Sequence, residues 1–325
     1  MSAHEPVMGA EVADALELKD GGWFADCTFG RGGYTREWVN RSRCRVFAID
    51  RDPDAIAVAE ALSGETGETG GAVYPVPGVF GDIAELLGEL DAPPLDGVAM
   101  DLGVSSPQLD EAGRGFSFMR DGPLDMRMGR EGPTAADIVN TWTAERLADL
   151  FFHYGEERKS RPIARAIVAD RIEAPFRTTL QLAGTVERAN PSRGAKIHPA
   201  TRVFQALRIA VNDELGELRR GLTGAERVLA PGGRLAVVSF HSLEDRIVKQ
   251  FLLKRSGNEP RASRHQPEKA AAASPTFRLV KRGAIKPSQA EIDRNPRARS
   301  ARLRVAERLE GSTWPLDEAG MEFAA

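Results

Sequence analysis

Three glycines fall within four residues in the run Asp26-Cys27-Thr28-Phe29-Gly30-Arg31-Gly32-Gly33-Tyr34-Thr35, directly after the apolar stretch Trp23-Phe24-Ala25. A glycine-rich turn between a strand and a helix lets the backbone approach a ligand closely and aims free helix N–H groups at it. Asp50 closes the next apolar run, seventeen residues after Gly33. A carboxylate there can accept hydrogen bonds from both hydroxyls of a ribose. Tight turns and strand ends use glycine and aspartate for purely structural reasons as well. The pairing of the two features is what points to a nucleoside ligand. Two further clusters end later apolar runs: Asp101 with Ser105, and Ser239 with His241. Open α/β sheets place their chemistry at such carboxyl ends.

The elements that must position these residues read as a parallel α/β sheet. Trp23–Cys27 is strand one and Arg45–Asp50 strand two, with Asp52 and Pro53 opening the following helix as N-cap and first-turn residue. Val73–Val76 is strand three, placed at an edge by its proline. Leu95–Asp101 is strand four, and Arg234–Phe240 strand five, after the turn Pro231-Gly232-Gly233. More than 130 residues separate strands four and five, where a crossover needs roughly a dozen. The surplus is an insertion with helical signatures at 144–153, 163–172 and 180–189. An amphipathic helix from Thr201 to Leu222 returns the chain to the sheet. Phe277–Val280 and Ala301–Val305 form a closing antiparallel pair, with a loop between Gly257 and Ser274. The expected domains are a core of residues 1–105 and 200–310, an inserted helical substrate-recognition domain of 106–199, and a tail of 311–325.

Composition narrows the class. Two cysteines cannot make a disulfide framework, and five histidines without H-E-x-x-H spacing offer no metal site. No basic leader with an apolar run and no long apolar span is present, so the expectation is a cytoplasmic protein with no membrane partner. The net charge of −3 is unevenly divided: from Lys254 to Arg308, fifteen Lys/Arg face five Asp/Glu, a balance of +10 against −13 elsewhere. Such a stretch attracts phosphate backbones. Arg158, Lys159, Arg161 and Arg165 form a second basic cluster, for which an exposed cationic helix face is the competing account.

A pyrophosphate-binding loop reads G-x-G-x-x-G, whereas Asp26-x-Thr28-x-Gly30-x-Gly32 resembles the methyltransferase pattern D-x-G-x-G-x-G with Thr28 in place of the first glycine. Leu229-Ala230-Pro231-Gly232-Gly233-Arg234-Leu235 resembles the turn before strand five of the same fold class. Longer motifs make the resemblance specific. Asp101-Leu102-Gly103-Val104-Ser105-Ser106-Pro107-Gln108-Leu109-Asp110, Gly113–Phe118, Pro123–Met128, Lys196–Arg208, Ser239–Arg246 and Asn295–Ser300 are similar to the bacterial small-subunit ribosomal RNA (cytosine-N4)-methyltransferases, over residues 4–308.

That resemblance implies a Rossmann-like, S-adenosylmethionine-dependent sheet with a helical domain inserted between strands four and five. It implies cofactor contacts at Gly32, Gly33, Tyr34, Asp50, Phe80, Asp101 and Gln108. The family often has histidine at position 34; the tyrosine is harmless if the backbone makes that contact. Asp82 is a rival to Phe80 on the adenine side. The implied reaction is methylation of the N4 amine of a cytidine in the decoding region of small-subunit ribosomal RNA, within an assembled or assembling particle. That amine is a weak nucleophile, so in-line placement and acceptors for its N–H bonds are the demands on the protein. Asp101, Ser105 and His241 are the catalytic candidates, left open because Asp101–Pro107 departs from the D/N/S-P-P-aromatic signature of many amino-methyltransferases. Phe116 or Phe118 is a candidate to stack on a flipped base, with core packing as the competing role. A DNA amino-methyltransferase and a non-catalytic RNA-binding assembly factor are the rival readings, followed by a nicotinamide-dependent oxidoreductase.

Overall fold

The computed structural model describes residues 6–64, 70–104, 106–129, 131–191, 198–259 and 274–314. By contacts the chain divides into two compact units, 1–103 with 215–325, and 104–214.

The first unit is built on seven strands: β1 Trp23–Asp26, β2 Arg45–Asp50, β3 Ala72–Pro77, β4 Leu95–Asp101, β5 Leu229–Ser239, β6 Phe277–Leu279 and β7 Arg302–Arg308. Their order is β3-β2-β1-β4-β5-β7-β6. The first five run parallel and β7 pairs antiparallel with both β5 and β6. Pro75 lies on edge strand β3, where a missing N–H costs no ladder bond. Alternate residues feed two cores, as a sheet covered on both faces requires. Phe24, Val46, Ala48, Ala99, Ala236 and Val238 pack with Val12, Trp38 and Leu62 from the helices Gly9–Leu16, Gly33–Arg41 and Pro53–Ser63. Ala25, Phe47, Ile49, Val98, Met100 and Val237 pack with Ile83, Leu222 and Leu252 on the other face.

The second unit is helical, with helices at Ala135–Thr141, Ala144–His153, Ser160–Glu173, Thr179–Ala189 and Ala200–Asn212. Thr134 with Asp137 and Thr178 with Gln181 form capping boxes. Thr143 caps the second helix, as its position predicts. The third begins at Ser160, before Pro162, because a first-turn residue needs no N–H partner.

Two expectations change. The return helix expected from Thr201 to Leu222 is two helices, Ala200–Asn212 and Glu214–Val228, broken at Asp213 with φ 48°. The Asn212 amide donates to the Met126 carbonyl (2.8 Å) and accepts from Met128 N–H (2.8 Å), and Arg208 grips Glu214 through Nε and Nη2 (2.7 and 2.8 Å). These bonds fix the break and place the first of the two helices in the second unit, so the unit boundary falls at 214/215 and not at 199/200. Strand β5 starts at Leu229, with its register to β4 shifted around Pro231-Gly232-Gly233.

The basic C-terminal stretch is also less available than its charge implies. Arg255 is buried against Glu226 (Nε–Oε2 2.8 Å), Arg304 grips Asp245 (2.7 and 3.1 Å), and buried Arg308 donates to the carbonyls of Glu226 and Gly311. Lys281, Arg282, Lys286 and Arg299 remain exposed. The loop 260–273 lies outside the described residues. The Trp314 ring covers the Arg255 guanidinium at 4.4 Å, a contact that strengthens when desolvated. Arg255→Ala would strand the Glu226 carboxylate, so a loss of about 3–5 kcal/mol is expected in urea unfolding.

Candidate cofactor and active site

The glycine turn leaves β1 and caps the helix Gly33–Arg41. Gly32 is the N-cap at φ 75°, a left-handed conformation that favours glycine, and a Cβ there would strike the Phe29 ring at 2.7 Å. Gly30 N–H donates to Asp50 Oδ2 (2.8 Å), tying the turn to the tip of β2. Asp52 N–H donates to the other oxygen, Oδ1 (2.9 Å). The Arg51 backbone also bonds this carboxylate, and with about four lone-pair sites Asp50 still has acceptor capacity for a ligand hydroxyl.

Thr28 has a specific role. Its hydroxyl accepts the Asp101 N–H (2.8 Å) and so joins the carboxyl end of β1 to that of β4. Asp26, at the end of β1, is buried and accepts from Thr35 Oγ1 (2.7 Å). Burial pushes its carboxyl up to about 6, Asp50 adds repulsion, and the bonds from Thr35 and Thr28 oppose the rise. Burial also raises Asp50, against the N–H groups of Asp52 and Gly30. Asp101 is driven well above the ordinary carboxylate range by burial, then by Asp26 and Glu244. Its Oδ1 is fully buried and has no hydrogen-bond partner among the described residues.

At the end of β5, Ser239 is buried, its Oγ 3.4 Å from the Arg302 carbonyl. His241 is the N-cap of the helix Ser242–Arg255: its Nδ1 accepts Glu244 N–H (3.4 Å), while Glu244 Oε2 accepts the N–H groups of Phe240 (2.9 Å) and His241 (3.2 Å). His241 Nε2 also lies 3.1 Å from Glu244 Oε1.

Tyr34 turns its side chain inward. Its hydroxyl donates to the Val7 carbonyl (2.6 Å) and its ring stacks on Trp38, which leaves only backbone for a ligand at this position. Phe80, half-buried in a 3-10 turn, packs against Gly221 so closely that a Cβ at 221 would come within 2.7 Å of the ring. Asp82 is exposed, 3.8 Å from the Arg220 guanidinium. In the second unit Gln108 is buried, Phe116 belongs to the core, and Phe118 packs on His198 and Phe204 at 4.9 Å. Arg158, Lys159, Arg161 and Arg165 are all exposed. Ser105 lies outside the described residues.

The first unit thus gathers Gly30, Gly32, Gly33, Asp50 and Asp101 at the carboxyl ends of β1, β2 and β4, with Ser239 and His241 ending β5. Two members went unread in the sequence as site residues. Asp26 was visible only as the first letter of a pattern. Glu244 stands three residues after His241, the spacing of a capping box, but histidine is an unusual cap.

Three carboxyls around one turn, Asp26 buried and Asp50 and Asp101 partly so, suit a cationic ligand and would repel a pyrophosphate. The donor set therefore fits a nucleoside carrying positive charge. Strand order, glycine turn, ribose-suited Asp50 and carboxyl cluster together define a Rossmann-like methyltransferase whose methyl donor is S-adenosyl-L-methionine. Residues 1–309 match the model of the MraW methylase family, and the chain belongs to that family. It is 56% identical to the ribosomal RNA small subunit methyltransferase H of Methylorubrum extorquens strain PA1, over 96% of this chain and 89% of that one. It is 54% identical to the protein of that name from Parvibaculum lavamentivorans, over 100% and 95%, and 53% identical to that of Hyphomonas neptunium, over 97% and 91%. Among the described residues no helix is long and apolar enough to cross a membrane.

The raised acids fix a sign for pH dependence. Asp26 holds its proton more tightly folded (about 6) than unfolded (3.8), so the unliganded protein loses stability as pH rises through that window. The loss reaches about 3 kcal/mol by pH 7 from this group alone. Denaturant unfolding of Asp26→Asn between pH 4 and 7 is expected to show a shallower fall than wild type.

Proposed function

We propose that this protein transfers a methyl group from S-adenosyl-L-methionine to the N4 amine of a cytidine in the decoding region of small-subunit ribosomal RNA. The observation that supports the target most directly is the near full-length similarity to small-subunit methyltransferases, joined to a carboxyl-lined site suited to a cationic donor. The substrate is the RNA within an assembled or assembling particle, and the setting is the cytoplasm.

The bound cofactor supplies a methyl group already activated on a sulfonium, so no metal or covalent nucleophile is called for. Asp50 would hold the ribose hydroxyls, the backbone of Gly32, Gly33 and Tyr34 would bind the amino-acid portion, and Phe80 would contact the adenine. Among the acceptors, Asp101 is favoured for the target amine, because its buried Oδ1 has no hydrogen-bond partner among the described residues. Positive charge arriving nearby draws its carboxyl towards the ionised form, an acceptor able to take an N–H bond or its proton. His241, engaged as a helix cap, shapes the exit of β5, and Ser105, outside the described residues, is the remaining catalytic candidate. The inserted helical unit recognises the substrate, with its basic cluster and the exposed cations after 280 on phosphates.

Tritium transfer from labelled cofactor into small subunits, with N4-methylcytidine in digested ribosomal RNA, is the expected result. Labelling of duplex DNA, or no transfer despite cofactor binding, would overturn the proposal in favour of a DNA enzyme or a non-catalytic assembly factor. Asp50→Ala is expected to weaken cofactor binding by about 1–3 kcal/mol in isothermal titration, the cost of unmet hydrogen bonds. Unchanged affinity would place the ribose elsewhere.

A further inference from the structure

The segment 111–128 is held by close packing and dense backbone bonding. A Cβ on Gly115 would lie 2.1 Å from the Pro123 carbonyl oxygen, and one on Gly122 would lie 1.9 Å from that of Ala112. Met126 is fully buried at φ 66°, a costly conformation for a long side chain, with its carbonyl and the Met128 N–H both bonded to Asn212. Thr179 N–H donates to the Gly122 carbonyl (2.9 Å), Leu180 N–H to Asp121 Oδ1 (3.1 Å), and Thr179 Oγ1 to the Arg120 carbonyl (3.3 Å). Leu124 N–H donates to the Arg177 carbonyl (2.9 Å).

All this bonding presents one apolar side chain to water: Met119 is 82% exposed. A single exposed methionine is ordinary on a loop free to fold it away. Here the neighbouring backbone is pinned. Around the tip, Arg120 and Arg177 are exposed and Leu180 is 48% exposed. The Asp121 carboxylate is held below its usual range by the Leu180 N–H, and is turned to the fold's own backbone. An apolar point between cations is the chemistry of a wedge that enters stacked bases while arginines hold the phosphates.

We propose that the Met119-Arg120 tip is a rigid RNA contact, with Met119 wedged into the base stack of the bound ribosomal RNA and Arg120 and Arg177 on its phosphates. This rests on the reading of the target as ribosomal RNA. A base must leave its stack to be methylated, and an apolar wedge stabilises the disrupted stack.

The test uses the full chain, tritiated cofactor and purified small subunits. Met119→Ser is expected to lower the methylation rate about tenfold with cofactor affinity and melting temperature unchanged. Met119→Leu, still apolar, is expected to restore most of the rate. Arg120→Ala is expected to raise KM and flatten the salt dependence of RNA binding by about one unit of slope. A diazirine analogue of methionine at position 119 is expected to crosslink to RNA. Wild-type rate in Met119→Ser, or a crosslink to a ribosomal protein, would overturn the wedge while leaving the target reading intact. If wild type transfers no methyl group to ribosomal RNA, that reading falls and the wedge falls with it.

Discussion

Carboxyl groups removed from water at the ends of three neighbouring strands are the constraint around which the site is organised. Asp26, Asp50 and Asp101 are brought together by the parallel pairing of β1 with β2 and β4, and each is shifted against ionisation by burial. A folded protein retains such a cluster at a cost in stability unless a ligand offsets it. A sulfonium nucleoside with a protonated amino group is such a ligand.

The rest of the first unit serves this arrangement. Thr28 bridges to the β4 backbone where a glycine would leave no hydroxyl, so the substitution within the glycine pattern adds a bond between the two strands that carry Asp26 and Asp101. Gly32 and Gly30 shape the turn that brings backbone to Asp50. Glu244 holds the exit of β5 by accepting two consecutive N–H groups, and its charge reaches Asp101 as well. One side chain therefore couples a helix cap to the electrostatics of the adjacent strand end.

The second unit follows a different logic. Its helices enclose an apolar core of their own, and its irregular segment 111–128 is held by glycines with no room for a side chain and by the Asn212 clamp. Strain and dense backbone bonding at one loop, beside helices of regular geometry, mark where precision of placement matters more than stability.

Sequence alone determined the strands, their parallel class, the long insertion and the pairing of Gly30–Gly33 with Asp50, because apolar runs, turn glycines and N-caps such as Asp52 and Thr143 are local signals. The resemblance of long motifs supplied the reaction. Only the tertiary structure decided that Tyr34 faces the Val7 carbonyl and Trp38, that Arg255, Arg304 and Arg308 are spent on internal partners, and that His241 is a cap. It also broke one amphipathic helix in two at Asp213. Each of these depends on partners distant in the chain, such as Glu226 for Arg255 and Met126 for Asn212, and no local pattern encodes which partner folding brings within reach.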